Sequence, residues 1–281
     1  MDDKKIILNI NKLFEKINIF KGDKVLVSSS ILRLLVKYKN KNKKFVINII
    51  IDSLIEKIGP KGTLLFPTFN WAFCKGEDFD YNRTKSLSGS LGNLALKRKD
   101  FQRTKNPIYS FAVTGKDKEY ICNLDHESCF GLNSPYGYLI ENHGKNLFID
   151  IDDIYKDAFT LVHVAEETMG VSYRYFKNFS GTYINENGSK KEVEYTFYVR
   201  DTLKTQATAI KKETTKFLSE IKAYQKYVVQ NEIFEIIELG KALDFLIDDM
   251  KNNSENNRLI YPVKKDAKIE RSKTNKVGIR E

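Results

Sequence analysis

The stretch FVINIIIDSLIEKIGPKGTLLFPT, residues 45–68, decides the fold. Its apolar run from Phe45 to Ile58 predicts a helix, which ends at the turn signal Gly59-Pro60-Lys61-Gly62. Thr63–Phe66 then predicts a short buried strand that reaches Pro67 and Thr68. The stretch therefore predicts a helix followed directly by a strand.

A second short strand is predicted upstream of this helix. Val25–Val27 is apolar and runs into the polar turn Ser28-Ser29-Ser30. A strand–helix–strand order is typical of a largely parallel sheet covered by helices. The sequence therefore predicts an α/β protein with a mostly parallel or mixed central sheet and helices on both faces (α/β/α).

Other elements follow from apolar spacing and turn signals. A small β-hairpin is predicted over Tyr183–Arg200, with Asn187-Gly188 at its turn. A helical C-terminal part is also predicted, with helices over Ala209–Tyr227 and Phe234–Met250. The remaining predicted elements are helices over Ile6–Ile17, Leu91–Lys99 and Phe159–Met169, and strands over Ile108–Val113 and Asn146–Ile151.

Composition and charge limit the domain organisation and the partners. We find no internal repeat or composition break, so a single domain over residues 1–262 is predicted, with a basic, flexible tail over 263–281. The 47 Lys and Arg against 37 Asp and Glu give a net charge of +10, which favours anionic ligands. A non-catalytic basic module that binds nucleic acid or another partner is an alternative from a different functional class. The dispersal of these charges among acids disfavours it.

Cysteine usage and hydropathy indicate a cytoplasmic protein. The three cysteines, Cys74, Cys122 and Cys129, are odd in number, which fits reduced thiols better than a disulfide framework. The N-terminus does not resemble a signal peptide, and no apolar run reaches about 18 residues, so no membrane span is predicted.

The histidines do not predict a metal site. His126, His143 and His163 lack the spacing of zinc motifs, so no metal is expected. Cys122 and Cys129 flank His126, and a cysteine–histidine pair could drive acyl transfer as a nucleophile. Buried, inert cysteines are the commoner alternative.

His163 lies in the helical stretch FTLVHVAEE, residues 159–167, and is the better candidate. Glu166 and Glu167 follow it by three and four residues, which brings both carboxylates within reach on a helix. Asp157 lies just before the predicted helix. A carboxylate bound to one ring nitrogen would leave the other free as a base, whereas a satisfied core histidine is the structural alternative.

Six stretches in order together resemble the aminoglycoside 3-N-acetyltransferase family, also called antibiotic N-acetyltransferases. The match to the family pattern covers about residues 20–170. The matching stretches are GDKVLVSSSIL (22–32), GPKGTLLFPTF (59–69), FDYNRTKSLSGSL (79–91), RTKNPIYS (103–110), FGLNSP (130–135) and DAFTLVHVAEE (157–167).

This resemblance implies an acetyl-CoA-dependent N-acyltransferase in which the substrate amine attacks the thioester directly. His163 would be the general base, oriented by Glu166, which is helically placed, or by Asp157, which matches the motif. The cofactor site would consist of the serine turn at residues 28–30 and the strand end at residues 67–68, with two further residues near the same cleft. These residues are Ser28, Ser29, Ser30, Pro67, Thr68, Arg103 and Ser110.

Departures from the family pattern bear on the acceptor. Two family histidines are replaced by Ser28 and Asn106, and the glutamate of the family's FGEGSP is lost, since Leu132 and Asn133 stand in its middle. The loss of this acidic residue and the net positive charge of the chain argue against a polycationic drug as the acceptor. We therefore predict a nucleotide-linked amino sugar for bacterial lipopolysaccharide or capsule synthesis, with an aminoglycoside resistance enzyme as the alternative.

The predicted acceptor site includes Phe69, Trp71 and Asn133. The aromatic loop TFNWAF, residues 68–73, could stack on a base or sugar, or simply pack in the core. The expected partners are the amino sugar and CoA, and the sequence leaves a homo-oligomer open.

Overall fold

The computed structural model describes residues 2–252 and 259–264, so the predicted tail lies outside the described residues from residue 265 onwards. The helices of the described chain are α1 (Asp3–Glu15), α2 (Leu32–Lys37), α3 (Lys43–Ile58), α4 (Ser90–Ala95), α5 (Lys118–Asn123), α6 (Pro135–Glu141), α7 (Ile154–Asp157), α8 (Leu161–Met169), α9 (Thr214–Glu220) and α10 (Leu239–Asn252). The strands are β1 (Lys24–Ser29), β2 (Thr63–Pro67), β3 (Phe79–Asp80), β4 (Gln102–Arg103), β5 (Phe111–Gly115), β6 (Lys145–Ile149), β7 (Arg174–Ile184), β8 (Lys190–Arg200), β9 (Ala207–Ile210), β10 (Tyr224–Val229), β11 (Glu232–Glu238) and β12 (Ile260–Val263).

A seven-stranded sheet lies at the centre of the fold, in the order β10-β11-β6-β1-β2-β5-β4. β1 is parallel to both β2 and β6, whereas β5 and β11 are antiparallel to β2 and β6. The central sheet is therefore mixed, and its parallel centre consists of β6, β1 and β2. Smaller sheets pair β12 with β9 and β3 with the β7–β8 hairpin.

Alternate side chains of each central strand enter different cores. In β1, Val25 and Val27 join the core formed with α1 and α3, whereas Leu26 joins the core formed with α6, α8 and α10. In β6, Leu147 joins the core with α1 and α3, and Phe148 joins the core with α6, α8 and α10. Helices therefore cover both sides of this sheet. Strands that are buried on both faces have continuous apolar sequences, as these strands do. The predicted α/β/α arrangement is confirmed.

The turn between α3 and β2 explains why the opening stretch is decisive. Gly59 ends α3 with a φ of 63°, a left-handed conformation that favours glycine. At Gly62, a side chain would begin 2.6 Å from Cβ of Ile58. Both glycines are therefore required for α3 to reverse directly into β2.

The carboxyl ends of the parallel strands meet at one edge of the sheet. Ser29 of β1 pairs with Ile149 of β6, and the Ser30 N–H donates to the Ile149 carbonyl at 2.8 Å. α7 and α8 follow β6 from this edge. In α/β folds ligands bind outside the carboxyl ends of parallel strands, so this edge is where a site is expected.

The predicted helix over Ala209–Tyr227 is wrong except at α9, and the predicted helix over Phe234–Met250 is wrong up to Glu238, where β11 ends. Residues 207–238 hold β9, the short helix α9, β10 and β11, and the long helix α10 follows in the described part of the chain. Gln230 and Asn231 have φ of 52° and 73°, as a two-residue hairpin turn requires, and β11 completes the sheet beside β6. Pairing with β6 therefore overrides the helix-like apolar spacing. The predicted hairpin turn at Asn187-Gly188 is correct, but the hairpin extends from Arg174 to Arg200.

Two buried carboxyl groups meet beyond the end of β6. Asp150 accepts a hydrogen bond from the Ile233 N–H at 2.7 Å, and Glu232 lies beside it, 3.5 Å from Nζ of Lys37. Burial, followed by the hydrogen bond and charge of Asp150, raises the pKa of Glu232 from 4.5 to about 7. The protonated form of Glu232 is therefore stabilised in the folded chain.

We expect Glu232→Gln to raise the melting temperature at pH 8 by at least about 3 °C. Because its folded pKa is raised, the stability that Glu232 contributes is fully present below about pH 4.5 and is lost as pH rises through about 7. Glutamine cannot ionise, so the difference between variant and wild type should widen from pH 5 to pH 8. Thermal melting at both pH values measures this, with the exposed Glu220→Gln as control. A constant difference would contradict the assignment.

Candidate active site

Helix α8 carries the predicted base. Its buried face packs Leu161, Val162, Val164 and Ala165 into the core, together with the carboxylate of Glu166. His163 keeps 26% of its side chain exposed and Glu167 is also partly exposed. Because residues four apart are neighbours on a helix, His163 and Glu167 share one partly exposed face.

His163 is held by Glu166 rather than packed as an apolar core residue. Its Nδ1 lies 2.7 Å from Oε2 of Glu166, whose side chain is fully buried. Arg174, the first residue of β7, places Nε 2.7 Å from the same carboxylate oxygen and Nη2 3.1 Å from Nδ1 of His163. Thr208 of β9 donates to the other oxygen of Glu166. Three groups thus converge on one buried carboxylate.

Glu166 is ionised in this environment. Burial on its own raises the pKa of Glu166, but the hydrogen bond and charge of His163, the charge of Arg174 and the hydrogen bond of Thr208 together lower it below its ordinary value. An ionised carboxylate accepts hydrogen bonds and donates none. The proton between the two side chains therefore belongs on Nδ1 of His163, so the 3.1 Å approach of Arg174 Nη2 to Nδ1 is not a hydrogen bond. Nε2 then keeps its lone pair.

Asp157 does not take part in this contact. It lies in α7 with an exposed side chain, and burial followed by the neighbouring acids Asp153 and Asp152 raises its pKa against the opposing charge of Lys156. Among the contacts of the described residues, Glu166 is the carboxylate that meets His163. Of the two carboxylates that the sequence left open, Glu166 is the one in contact with His163, and its orienting role stays a prediction.

An aromatic wall leads from His163 to the predicted acceptor loop. The ring of Phe130 lies 5.4 Å from that of His163, and Tyr109 packs 4.7 Å from Phe130. Tyr109 in turn contacts Phe69 at 4.5 Å and Trp71 at 6.1 Å. Phe69 is 6% exposed and packs in the core, whereas Trp71 is 38% exposed and is available to a ligand.

The loop FGLNSP lies against the same helix. Ser128, just before it, donates to both carboxylate oxygens of Glu167, at 2.6 and 2.7 Å. At Gly131 a side chain would begin 3.1 Å from Oδ1 of Asn133 and 3.7 Å from Oε1 of Glu167. Asn133 itself is exposed. Asn133 and Glu167 therefore face a common point beside Gly131, a juxtaposition that sequence spacing could not show.

The residues predicted to bind the cofactor fall into two groups. Ser28, Ser29 and Pro67 are partly exposed and Ser30 is exposed at the carboxyl edge of the sheet, where a ligand can reach them. Thr68, Arg103 and Ser110 are 0%, 2% and 0% exposed. That these three side chains contact the cofactor stays a prediction, and their burial favours an indirect role.

Arg103 forms a buried hydrogen-bond network instead. Its guanidinium donates to Oγ of Ser110 at 3.0 Å and to the carbonyls of Thr84 at 2.6 Å and Thr68 at 3.3 Å. Burial lowers the pKa of Arg103 to about 10, and the ring of Phe79 lies 4.6 Å away. Arg103, Ser110 and Thr68 thus anchor the loop that follows β2, because their polar atoms are turned inward.

The cysteine alternative is disfavoured by burial. Burial raises the pKa of Cys122 to about 12 and that of Cys129 well above its ordinary value. Both thiols are buried, and Nδ1 of His126 contacts the Ser128 carbonyl at 2.7 Å. A catalytic thiol needs a lowered pKa and access to substrate, and these residues have neither.

Two further observations concern the described residues as a whole. None of their helices combines the length and the apolar character needed to cross a membrane. Within residues 2–252 and 259–264, no three histidine, cysteine or acidic side chains are grouped so that they could hold a metal ion.

Arg174 was missed by sequence reasoning. It stands eight residues after Glu166, across the turn from α8 into β7, and no helical or motif spacing links the two. A partly exposed histidine held by a buried carboxylate is an arrangement suited to general-base chemistry.

The comparisons with known proteins identify the family. The sequence model described as aminoglycoside 3-N-acetyltransferase matches residues 26–251, which is most of the chain. The chain therefore belongs to the aminoglycoside 3-N-acetyltransferase family and is an acetyl-CoA-dependent N-acetyltransferase. The resemblance stated from the motifs is confirmed at the level of the family.

Solved structures share the fold at low sequence identity. AAC-IIIb, solved as a binary complex with CoASH, is 16% identical with a TM-score of 0.69, over 90% of this chain and 97% of that one. AAC-VIa bound to sisomicin is 16% identical, with a TM-score of 0.68 over 90% and 98%. The YokD protein from Bacillus subtilis is 22% identical, with a TM-score of 0.66 over 90% and 100%. Comparison with curated proteins gives no significant match.

Proposed function

We propose that the chain transfers the acetyl group of acetyl-CoA to an amine of an aminoglycoside-type amino sugar, with His163 as general base. The observation that carries the proposal is the 2.7 Å contact between His163 and the buried carboxylate of Glu166 on the partly exposed face of α8. An N-acetyltransferase needs a base that removes a proton from the acceptor amine, and family membership therefore supports this role for His163.

His163 would accept the proton that the amine loses. A protonated amine has no lone pair, so the nitrogen must lose a proton before or during attack on the thioester carbonyl. The new C–N bond replaces the C–S bond, and the proton taken from the amine passes from His163 to the departing thiolate, so CoA leaves as its thiol. With Nδ1–H directed to Glu166, Nε2 of His163 can take the amine proton, and the resulting imidazolium is stabilised by that carboxylate.

The residues at the carboxyl edge of the sheet fit a cofactor that extends along it. When bound, acetyl-CoA supplies an activated acyl group as a thioester. Ser28, Ser29, Ser30 and Pro67 keep exposed surface there, so we propose that they contact the cofactor. The buried trio of Thr68, Arg103 and Ser110 would shape the adjoining loop without touching it.

The acceptor class is supported by the relatives and by the site itself. AAC-VIa has been solved with sisomicin, an aminoglycoside, which favours the alternative stated from the sequence over a nucleotide-linked sugar. The loss of the acid in FGLNSP argued against a polycationic acceptor, but Glu167 brings a carboxylate to the same loop. We therefore propose, as the first candidate for the acceptor, an amino sugar with several ammonium groups.

A nucleotide-linked amino sugar is kept as the second candidate because of one observation. The net charge of +10 suits an acceptor that carries a diphosphate. In this case Trp71, which is 38% exposed, would stack on the base or the sugar.

An acceptor panel distinguishes the two. We expect thiol release from acetyl-CoA with sisomicin and kanamycin-type amines, at a kcat/KM at least about tenfold above that for TDP-, UDP- and GDP-linked amino sugars. Thiol release without acceptor measures background hydrolysis, and mass spectrometry confirms the acetylated product. Preference for the nucleotide-linked sugars would instead establish the second candidate.

A further inference from the structure

Glu167 is a partly buried carboxylate one helical turn beyond His163, and the described residues provide it with no cation. The ion pairs of α8 belong to Glu166, which meets His163 and Arg174. Within residues 2–252 and 259–264, the hydrogen-bond partner of the Glu167 carboxylate is the neutral hydroxyl of Ser128, although the chain contains 47 Lys and Arg. A carboxylate left in this state beside a base is a candidate for binding a ligand.

The carboxylate of Glu167 is held in place. Ser128 donates to both of its oxygens and also forms a parallel bridge with Thr196 of β8, where the Thr196 N–H donates to the Glu127 carbonyl at 3.0 Å. Ser128 is therefore fixed to the β7–β8 hairpin. The position of the carboxylate is set before a ligand arrives, which lowers the cost of binding.

The energetics favour a positive partner. Burial raises the pKa of Glu167, and the hydrogen bond from Ser128 offsets this effect only in part. Partial removal from water disfavours the ionised form when no positive charge compensates. An ammonium group brought by the substrate would supply that charge and restore the ionised carboxylate.

We propose that Glu167 binds a second ammonium group of the acceptor, next to the amine that His163 deprotonates. The proposal rests on the proposed function and makes it more specific, because it requires an acceptor with at least two amines. The exposed Asn133 directs Oδ1 to the same point beside Gly131, so it would accept a second hydrogen bond from that ammonium group. Glu167 is thus a specificity-determining residue that replaces the acid missing from FGLNSP.

Isothermal titration of sisomicin against the full chain tests the proposal without relying on turnover. Glu167→Gln keeps the shape and the hydrogen bond of the side chain but removes its charge. We expect the Kd for sisomicin to rise at least about tenfold, as a close charge pair warrants, while the Kd for the monoamine glucosamine changes less than about threefold. The exposed Glu119→Gln serves as the charge-matched control and should match wild type. Thermal melting checks that each variant is folded.

The outcomes separate this proposal from the proposed function. A selective loss of sisomicin affinity supports Glu167 even if the wild type binds the drug without acetylating it, in which case the proposed function fails alone. An unchanged Kd for sisomicin, or an equal loss for sisomicin and glucosamine, overturns the role of Glu167 and leaves turnover by His163 untouched. If wild type does not bind sisomicin at all, both proposals fail. Ser128→Ala, which frees the carboxylate, should give an intermediate loss.

Discussion

Replacing His163 by alanine is expected to lower kcat at least about 100-fold while the protein stays folded. The substitution removes the group proposed to take the amine proton, and general-base catalysis typically contributes a factor of this size. His163 is partly exposed and its ring packs against Phe130 at a centroid distance of 5.4 Å, so little packing is lost. Thiol release under saturating acetyl-CoA and acceptor measures the effect.

The control for this prediction is His143→Asn. His143 is exposed and has a φ of 54°, a left-handed conformation that asparagine tolerates well. This control should retain wild-type turnover, which would show that losing a histidine is not in itself harmful. If His163→Ala turned over at a near-normal rate, the base would have to be sought elsewhere.

The residues 45–68 predicted the centre of the fold correctly because local and long-range preferences agree there. The apolar run before Gly59 is long enough for a helix, and the strand after Gly62 has a parallel neighbour in β1. The helices predicted over residues 209–227 and 234–238 are wrong, apart from α9, for the opposite reason. Their apolar spacing fits a helix locally, but β11 satisfies its backbone by pairing with β6, which is distant in the sequence.

The candidate site shows the same division between local and distant contacts. His163 and Glu166 are three residues apart on one helix, so spacing alone placed them together. Arg174 reaches them from β7 and Ser128 reaches Glu167 from a loop 39 residues earlier, and neither contact has a local signature. The motif match placed Arg103 and Ser110 near a cleft, yet it could not show that their polar atoms face inward.

The second large effect is expected from Glu166→Gln, which should reduce kcat by roughly 10²- to 10⁴-fold. A glutamine side chain can donate to Nδ1 of His163 through its amide nitrogen. The imidazole proton would then move to Nε2, which removes the lone pair that must accept the proton of the amine. The ring would stay in place with the wrong tautomer, so substrate KM should change far less than kcat.

The same substitution should also lower stability, and the design must keep the two effects apart. Glu166 is fully buried and compensates the charge of Arg174, whose side chain is 7% exposed. Removing one partner of a buried ion pair costs about 3–5 kcal/mol, so the melting temperature should fall clearly. Activity is therefore measured well below the melting temperature of each variant and expressed per folded molecule. Glu119→Gln again controls for the loss of one negative charge.

The double variant with His163→Ala and Glu166→Gln gives the decisive comparison. If Glu166 acts only through His163, it has nothing to orient once the histidine is absent, so the double variant should be no more than about threefold slower than the slower single variant. Groups that act as one unit show this strong non-additivity in mutant kinetics. Multiplied effects would mean that Glu166 contributes to turnover by a route that does not pass through the imidazole. A near-normal rate for Glu166→Gln alone would show that the 2.7 Å contact only stabilises the fold.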